Sequence, residues 1–539
     1  MENLPSLNQR LDEYLNDDIS KITLIKNGSQ VLFSKAELKH RILLARKAFL
    51  DAGVKKGDLV IFQISSSAKK AFVTNFFALI SLGAVPAFLT ASRNKDQVHR
   101  LIKVAQNNPK SFIVADNQTL QFIQFLWNDC DNKRFIVTHE EVVAAVESDE
   151  KEIAYASLQP TDPVLVLYSS GSTSDPKGVV MNNLAFLKML KSLLVTLSST
   201  PKDVWLMWLP LEHVFGILAG VTIPMYSKCS VVHMDSSDFI QNPKSWFDAI
   251  HMTRATKTAA PNFAYPMLLN SLDGSENWDL SCLDFILNGG EPLSRKVVEV
   301  FEKATEKFKV KKNVITPVYG LTEALGAVCM NRKAEYPKLD LDLLQTGIDF
   351  DLTAVKRGDM DLISQGHPLD GMYIGIFNEK RQRLPELFVG EIHIKSEFLF
   401  SGYLNQDSAG LFWNGWFDTG DLGLLYKDML YVVGRKKDMF FIHGKNVYLR
   451  DIEQIVEKKI SYRVAACGEN NLQTGENAVY LFVETSDVDN VPIQQLKNFV
   501  FSEMGFALKA VVPVKQIMRT AVGKIAKQKT LEAYKEGKI

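Results

Sequence analysis

Short apolar runs alternate with amphipathic helical patterns through the first four hundred residues of the chain. Strand-like runs lie at 59–62, 112–115, 135–137 and 231–233, and helical patterns lie at 35–52, 182–197 and 294–308. Such alternation is typical of proteins in which helices connect the parallel strands of a sheet. The pattern therefore predicts an α/β fold with largely parallel sheets.

The pattern changes in the last third of the chain. Shorter strand-like runs at 371–377, 390–394 and 430–433, joined by turns, predict a small β subdomain. A charged joint, Gly434–Asp438, follows, and the remaining residues carry strand and helix patterns of their own, such as the apolar run at 478–483. We place a domain boundary near Lys437, with a large domain over 1–436 and a small α+β domain over 437–539.

One uncharged stretch, residues 71–91, is long enough to cross a bilayer. Asn75, Gly83 and Pro86 interrupt it, and Gly83–Pro86 reads as a turn between a helix and a strand. We therefore predict a buried helix followed by a strand, without stable membrane insertion.

Composition narrows the function classes. The 539 residues suggest several domains or subdomains, at roughly one per 150 residues. Basic and acidic residues balance at 62 each, which argues against a nucleic-acid partner. The five cysteines are scattered and form no Cys-x-x-Cys pair, and residues 1–10 lack a basic-then-apolar signal design. We expect neither disulfides nor a zinc site, and a cytoplasmic location.

The segment Tyr168–Val179 is the strongest chemical signal. It follows a buried strand-like run and is rich in serine, threonine and glycine, with Lys177 near its end. Small residues let backbone N–H groups approach an anion, and the lysine adds charge, so the segment reads as a phosphate-binding loop. It is not a Walker loop, because Gly178 follows the lysine where Ser or Thr would hold magnesium. An ordinary Ser/Gly loop is the alternative interpretation.

Four further motifs accompany this loop. They are Tyr319–Glu323, Trp416–Asp421, Gly434-Arg435 and Thr520–Lys524. Taken singly, each has a structural explanation: a stacked tyrosine, a turn aspartate, a residue at a strand end or a solvated lysine. The order and the residues of these motifs together resemble those of the superfamily of adenylate-forming enzymes. That superfamily includes acyl-CoA synthetases, peptide-synthetase adenylation domains and luciferases. The resemblance covers the chain from about residue 35 to 535.

The resemblance implies ATP and Mg²⁺ as cofactors and a role for each matching residue. It assigns the ATP phosphates and the departing pyrophosphate to the loop of Ser169, Ser170, Gly171, Ser172, Thr173 and Lys177. It assigns the adenine and ribose to Gly289, Gly290, Glu291, Pro292, Tyr319, Gly320, Asp421 and Arg435.

The reacting groups are assigned in the same way. Thr322 would contact the α-phosphate, Glu323 would hold Mg²⁺, and Lys524 would reach the acyl carboxylate and the α-phosphate. His213 would lie beside the acyl carboxylate. A carboxylate must attack a phosphorus although both groups are negative, so cations in a dry site are required. The family's small domain is mobile, which makes Lys437 the expected hinge.

Within the superfamily, three segments resemble the fatty acyl-AMP ligases. They are Asn242–Ile250 with the nearby Ala260–Tyr265, the run Gly434–Tyr448, and the segment Asn331–Gln365. The last lies where those ligases carry an insertion that disfavours coenzyme A, so that the acyl group passes to a carrier protein. An ordinary surface loop is the alternative for that segment. Phe263, Ala264 and Met267 are the expected acyl-pocket residues, although helical core packing would explain them as well.

The sequence also departs from those ligases. Glu212–Gly216 replaces their Tyr-His-Asp-Met-Gly, Thr322 replaces an alanine, and Ala521-Val522 replaces Ser-Ser. The aspartate that amino-acid-activating domains carry near Val214 is missing. These departures put the chain length and the acceptor in doubt and argue against an α-amino acid.

The leading prediction is a ligase that adenylates a fatty or other apolar carboxylic acid and loads it on an acyl or peptidyl carrier protein, as in lipid, polyketide or nonribosomal peptide biosynthesis. The alternatives are an acyl-CoA synthetase, a stand-alone adenylating enzyme for an aryl or amino acid, a Walker-type NTPase or kinase, and a binding module without activity.

Overall fold

A computed structural model describes residues 5–65, 67–127, 135–138, 155–168, 176–290, 293, 295–332, 339–348, 362–436, 439–442, 445–460, 462–470, 477–504, 506–520 and 525–539. The chain forms two compact units. Unit 1 comprises Met1–Ala334, Leu369–Met372 and Ser396–Leu411, and unit 2 comprises Glu335–Pro368, Tyr373–Lys395 and Phe412–Ile539. The predicted hinge Lys437 lies outside the described residues, and the boundary there stays a prediction.

Helices occur in both units. The α-helices within the described ranges are α1 (Leu7–Leu15), α2 (Lys35–Asp51), α3 (Lys69–Leu82), α4 (Lys95–Asn107), α5 (Asn117–Leu126), α6 (Asn183–Thr196), α7 (Val214–Ile217), α8 (Ile223–Ser227), α9 (Ser236–Gln241), α10 (Lys244–Thr253), α11 (Ala264–Ser271), α12 (Arg295–Thr305), α13 (Leu449–Lys459), α14 (Ile493–Met504) and α15 (Lys527–Lys535). A π-helical turn, Leu218–Thr222, joins α7 to α8. Short 3₁₀ turns lie at Glu306–Phe308, Thr322–Ala324, Leu341–Leu343 and Val488–Asn490.

The strands of unit 1 are β1 (Ile22–Lys26), β2 (Ser29–Phe33), β3 (Leu59–Gln63), β4 (Val85–Phe88), β5 (Phe112–Asp116), β6 (Phe135–Thr138), β7 (Pro163–Tyr168), β8 (Gly178–Asn182), β9 (Val204–Met207), β10 (Ser230–His233), β11 (Lys257–Ala259), β12 (Phe285–Gly289), β13 (Ile315–Tyr319), β14 (Cys329–Met330) and β19 (Gly402–Tyr403). Those of unit 2 are β15 (Gln345–Thr346), β16 (His367–Pro368), β17 (Tyr373–Phe377), β18 (Phe388–Lys395), β20 (Phe412–Trp413), β21 (Trp416–Tyr426), β22 (Met429–Arg435), β23 (Met439–Ile442), β24 (Lys445–Tyr448), β25 (Arg463–Asn470), β26 (Asn477–Glu484) and β27 (Ala510–Val514).

Unit 1 contains two largely parallel sheets. In the first, the order β14-β13-β12-β11-β9-β10-β1-β2 is parallel except at the β13–β14 and β1–β2 pairs. In the second, the order is β19-β8-β7-β4-β3-β5-β6, with β8 antiparallel to both of its neighbours. Parallel strands need helices on their faces. The predicted α/β class is therefore confirmed.

The uncharged stretch 71–91 folds as predicted into a buried helix and a strand. Every residue of α3 from Ala71 to Leu82 is buried, and the helix ends at Gly83, whose φ of +68° is readily adopted by glycine. Pro86 lies inside β4, where a missing amide hydrogen costs a ladder bond, rather than in a turn as expected. Among the described helices, none combines the length and apolar character needed to cross a membrane.

Unit 2 is built mainly from antiparallel strands. Strands β15, β18, β21 and β20 are paired in that order, while β17 pairs with β18 and β22 pairs with β21. Farther along the chain, β25, β26 and β27 form a separate sheet packed against helices α13 and α14. The core beneath them includes Ile452, Val456 and Leu481, each fully buried. The predicted β subdomain and α+β segment are both present.

A buried ion pair stabilises the first sheet. Lys257 in β11 donates to Asp203 at the entry to β9 over 2.6 Å, and its side chain is 2% exposed. Burial raises the pKa of Asp203, but hydrogen bonds from Lys257 and from the Thr200 amide outweigh it and leave that pKa below its ordinary value. The attraction between the two side chains compensates for the hydration that each charge loses on burial.

We predict that Lys257→Met lowers the free energy of unfolding by about 3 kcal/mol, because Asp203 would keep its charge without a cationic partner. The matched control is Lys309→Met, since Lys309 pairs with Asp279 over 3.1 Å at the surface and is 68% exposed. That substitution should cost less than about 1 kcal/mol. Urea denaturation followed by tryptophan fluorescence measures both, and equal losses would contradict the stabilising role.

Candidate functional site

The carboxyl ends of neighbouring strands bring several predicted site residues to one edge of the first sheet. Gly289 ends β12 and Tyr319 ends the adjacent β13. His213 lies on the segment that leaves β9 and immediately precedes α7. In parallel α/β sheets, ligands bind outside these ends.

Three glycines allow the segments at this edge to touch. A Cβ atom on Gly320 would lie 2.2 Å from the Gly326 carbonyl oxygen, and one on Gly326 would lie 2.9 Å from the Val214 side chain. A Cβ on Gly289 would lie 2.8 Å from the Phe215 ring. A side chain at any of these three positions would therefore force the neighbouring segments apart.

His213 begins helix α7 and is held by local contacts. Its Nδ1 accepts a hydrogen bond from the Phe215 amide over 3.4 Å. The two rings are nearly parallel, with centroids 6.4 Å apart. Because the Phe215 ring also lies against Gly289, His213 is positioned beside the end of β12.

Glu323 lies on a 3₁₀ turn four residues after β13 and has a hydrogen-bond partner that the sequence did not indicate. The Tyr403 hydroxyl donates to Glu323 Oε1 over 2.8 Å. The Lys177 ammonium lies 5.0 Å from the centroid of the same tyrosine ring. Burial, and then the charge of Glu323 and the hydrogen bond to it, raise the pKa of Tyr403. The tyrosine therefore stays protonated and remains a donor.

Unit 2 carries the second group of predicted residues. Asp421 in β21 is paired in register with Arg435 in β22, and Arg435 Nε lies 3.0 Å from Asp421 Oδ1. Asp421 is 5% exposed, whereas the Arg435 side chain is 54% exposed. The pair leaves a charged guanidinium at the surface.

A cluster elsewhere in unit 2 has metal-ligand chemistry. Ligand atoms of Glu391, His393 and Asp418 lie within 4.8 Å of one another. The Lys436 ammonium contacts Glu391 and already neutralises its charge. We assign no metal to this cluster.

The predicted acyl-pocket residues pack among aromatic rings. Phe263 contacts Trp208 and Phe239, with ring centroids 6.3 and 6.4 Å apart, and Ala264 is fully buried. Met267 lies one turn farther along α11. None of the three lines the narrow apolar cavity that opens beside Phe215 and Gly326. Its lining residues are Leu193, Leu197, Phe215, Leu218, Ala219, Ile223, Leu287, Val318, Gly326, Ala327 and Met330.

Several predicted residues lie outside the described part of the chain. They are Ser169, Ser170, Gly171, Ser172, Thr173, Glu291, Pro292, Lys437 and Lys524. Gly290, with a φ of +84°, and Thr322, at the start of the 3₁₀ turn, are described beside Gly289 and Glu323. Their roles stay predictions.

A family comparison covers most of the chain: the model of the AMP-binding enzyme family matches residues 16–404. The chain belongs to the AMP-binding enzyme family. The likeness to fatty acyl-AMP ligases that the motifs predicted is also confirmed among relatives and solved structures.

Individual relatives of this AMP-binding chain are named for different activities. It is 32% identical over 60% of its length to the putative ligase Rv1013 of Mycobacterium tuberculosis, covering 63% of that protein. It is 28% identical over 69% of its length to the medium-chain-fatty-acid–[acyl-carrier-protein] ligase JamA of Moorena producens, covering 68% of it. A putative acyl-CoA synthetase of Caulobacter vibrioides is 23% identical over 93% of the chain and 90% of that protein.

Among solved structures, a fatty acyl-adenylate ligase from a study of the E. coli and L. pneumophila enzymes matches with a TM-score of 0.84. It is 26% identical, with 99% of each chain covered. The chain spans only 50% and 63% of the lengths of the first two curated relatives it matches.

Proposed function

We propose that this AMP-binding enzyme is a ligase that activates a fatty or other apolar carboxylic acid with ATP, releasing pyrophosphate, and passes the acyl group to a carrier-protein phosphopantetheine. The observation that carries the proposal is the meeting of His213, Tyr319 and Glu323 at one sheet edge beside an apolar cavity. A polar sheet edge next to an apolar cavity suits a substrate with one charged and one apolar end.

We assign contacts with ATP to residues of unit 1 and, separately, to residues of unit 2. Tyr319 and Gly289 would contact the adenine, and Asp421, with two acceptor oxygens, would accept the ribose hydroxyls. Lys177, which follows the predicted phosphate loop, would stabilise the departing pyrophosphate. The half-exposed Arg435 guanidinium is available to ribose or phosphate.

The carboxylate of Glu323 is a suitable ligand for Mg²⁺. Carboxylate oxygen is the donor that Mg²⁺ prefers. One oxygen of Glu323 is fixed by Tyr403, and within the described residues no cation is paired with this carboxylate. When bound, the ion would offset the negative charge that accumulates on the phosphates.

The proposed reaction consists of two displacement steps, adenylation and acyl transfer. An oxygen of the substrate carboxylate bonds to the α-phosphorus of ATP, and the bond from that phosphorus to the β-phosphate oxygen breaks, so that pyrophosphate leaves. The thiolate of phosphopantetheine then attacks the acyl carbon, a C–S bond forms, and AMP leaves with the carboxylate oxygen. His213, Thr322 and Lys524 would orient the reacting groups and offset their charge, because positioning dominates such transfers.

The cavity is narrow, with a volume of about 20 Å³, so an apolar tail on the substrate would have to widen it, and its apolar lining would favour such a tail. The cavity adjoins Phe215, two residues from His213, and its lining includes the small residues Ala219, Gly326 and Ala327. Among the residues that the structure describes, no ionisable group lines it. A charged or amino substituent would lose its solvation there.

The choice of acceptor rests on likeness. JamA is named for ligation to acyl-carrier protein. The motif resemblance implies that segment 331–365 corresponds to the insertion of the fatty acyl-AMP ligases. The Caulobacter relative is named as a putative acyl-CoA synthetase, which keeps coenzyme A as the second candidate acceptor.

We expect pyrophosphate release that depends on a carboxylic acid when the protein is supplied with ATP, Mg²⁺ and straight-chain acids of graded length. Lys524→Ala should slow it by about 10²–10³-fold, because a preorganised charge is lost. The exposed Lys515, substituted by alanine, is the matched control and should leave the rate unchanged. ADP and phosphate as products, or a full rate in Lys524→Ala, would contradict the assignment.

The same reaction, supplied in parallel with phosphopantetheinylated carrier protein and with free coenzyme A, separates the acceptors. Mass spectrometry should detect the acylated form of the carrier protein in preference to acyl-CoA. Efficient thioester formation with free coenzyme A would favour the acyl-CoA synthetase.

We further predict that Ala219→Leu shortens the preferred chain by about three carbons, because the added side chain fills space for that many methylene groups. Rates with the shortest active acid should be retained. Ala249→Leu is the control, since Ala249 is equally buried but does not line the cavity. Rates over the acid series test this, and an unchanged length profile in Ala219→Leu would exclude the cavity as the acyl site.

A further inference from the structure

Tyr403 connects two of the candidate nucleotide-binding residues. Its hydroxyl donates to Glu323, and its ring faces the Lys177 ammonium. In the part of the chain that the structure describes, no ion pair forms between Lys177 and Glu323 themselves. The tyrosine thus contacts both of these oppositely charged side chains.

The backbone fixes this arrangement at both ends of a short segment. The Phe400 amide donates to the Glu323 carbonyl over 2.9 Å, and the Leu404 amide donates to the Gly178 carbonyl over 2.7 Å. Gly178 is the residue after Lys177, and Tyr403 is paired with Val179 between β19 and β8. Residues 400–404 therefore link the backbone of the Glu323 turn to that of the lysine segment.

The conformation of this segment requires a glycine before the tyrosine. Gly402 has a φ of +141°, and a Cβ there would lie 2.1 Å from the Ser408 hydroxyl oxygen. The Phe400 ring packs against the Tyr403 ring with centroids 5.0 Å apart. The tyrosine ring is thus held by its neighbours before any ligand binds.

We propose that Tyr403 is a positioning residue for Mg·ATP: it orients the Glu323 carboxylate toward the metal and keeps Lys177 from pairing with that carboxylate. The proposal rests on the proposed function. A lysine directly paired with Glu323 would neutralise both the cation needed by pyrophosphate and the anion needed by magnesium. The face of the tyrosine ring attracts the lysine ammonium without neutralising its charge.

The hydrogen bond can be removed while the ring is kept. Tyr403→Phe removes the hydrogen bond that the tyrosine hydroxyl donates to the Glu323 carboxylate. A hydrogen bond to a charged group typically contributes enough free energy to change an equilibrium constant about tenfold. We expect the Mg²⁺ concentration that half-saturates ATP binding to rise about tenfold. Binding is measured by calorimetry over a Mg²⁺ series, without a carboxylic acid.

Tyr480→Phe is the matched control. Tyr480 donates to Glu469 over 3.0 Å in the sheet of β25 and β26, so the substitution removes the same kind of hydrogen bond. Its Mg²⁺ half-saturation should equal that of the unmodified protein. Tyr403→Leu removes the ring as well and should weaken Mg·ATP binding beyond Tyr403→Phe, since Lys177 could then reach Glu323.

Unchanged Mg²⁺ half-saturation in both Tyr403 variants would overturn the proposal. A lower melting temperature with unchanged Mg²⁺ dependence would also overturn it, because that is the signature of a purely structural residue. If the unmodified protein binds Mg·ATP but releases no pyrophosphate with any acid, the proposed adenylation fails, and the binding comparison still decides the role of Tyr403.

Discussion

The close approach of backbone segments at Gly320 and Gly326 is the constraint on which the candidate site depends. With any side chain at Gly320, the turn that carries Glu323 would be forced away from the strand end that carries Tyr319. Val214 packs on Gly326, and so the segment that presents His213 is fixed by the same contact. Three strand-end segments thereby share one small volume, which a reaction between two anions requires.

Two charged side chains of unit 1, Lys177 and Glu323, form no ion pair with each other among the described residues. Lys177 faces an aromatic ring rather than a carboxylate, and Glu323 is bound by a neutral hydroxyl. In unit 2, Arg435 pairs with Asp421 but keeps half of its side chain exposed. A cationic side chain that is not paired with a buried carboxylate remains available to bind phosphate. The buried Lys257–Asp203 pair is the opposite case, since its charges stabilise the sheet.

Much of the fold could be predicted from the sequence because buried parallel strands are continuous apolar runs. The run at 59–62 corresponds to β3 and the helical pattern at 182–197 to α6, each within one residue at either end. Tyr403 could not be predicted, because its importance depends on pairing with β8 and on a contact with Glu323, both distant in sequence. The cavity beside Phe215 combines residues of several elements, and periodicity reports burial rather than which buried residues face a void.

The proposed function requires that a carboxylate oxygen attack the α-phosphorus of ATP. Incubating the protein with ATP, Mg²⁺, carrier protein and an apolar acid labelled with ¹⁸O in its carboxylate tests this directly. Mass spectrometry of the released AMP should detect one ¹⁸O atom per molecule, since the acyl carbon, not the phosphorus, is attacked in the second step. AMP without the label, or ADP in place of AMP, would contradict the claim.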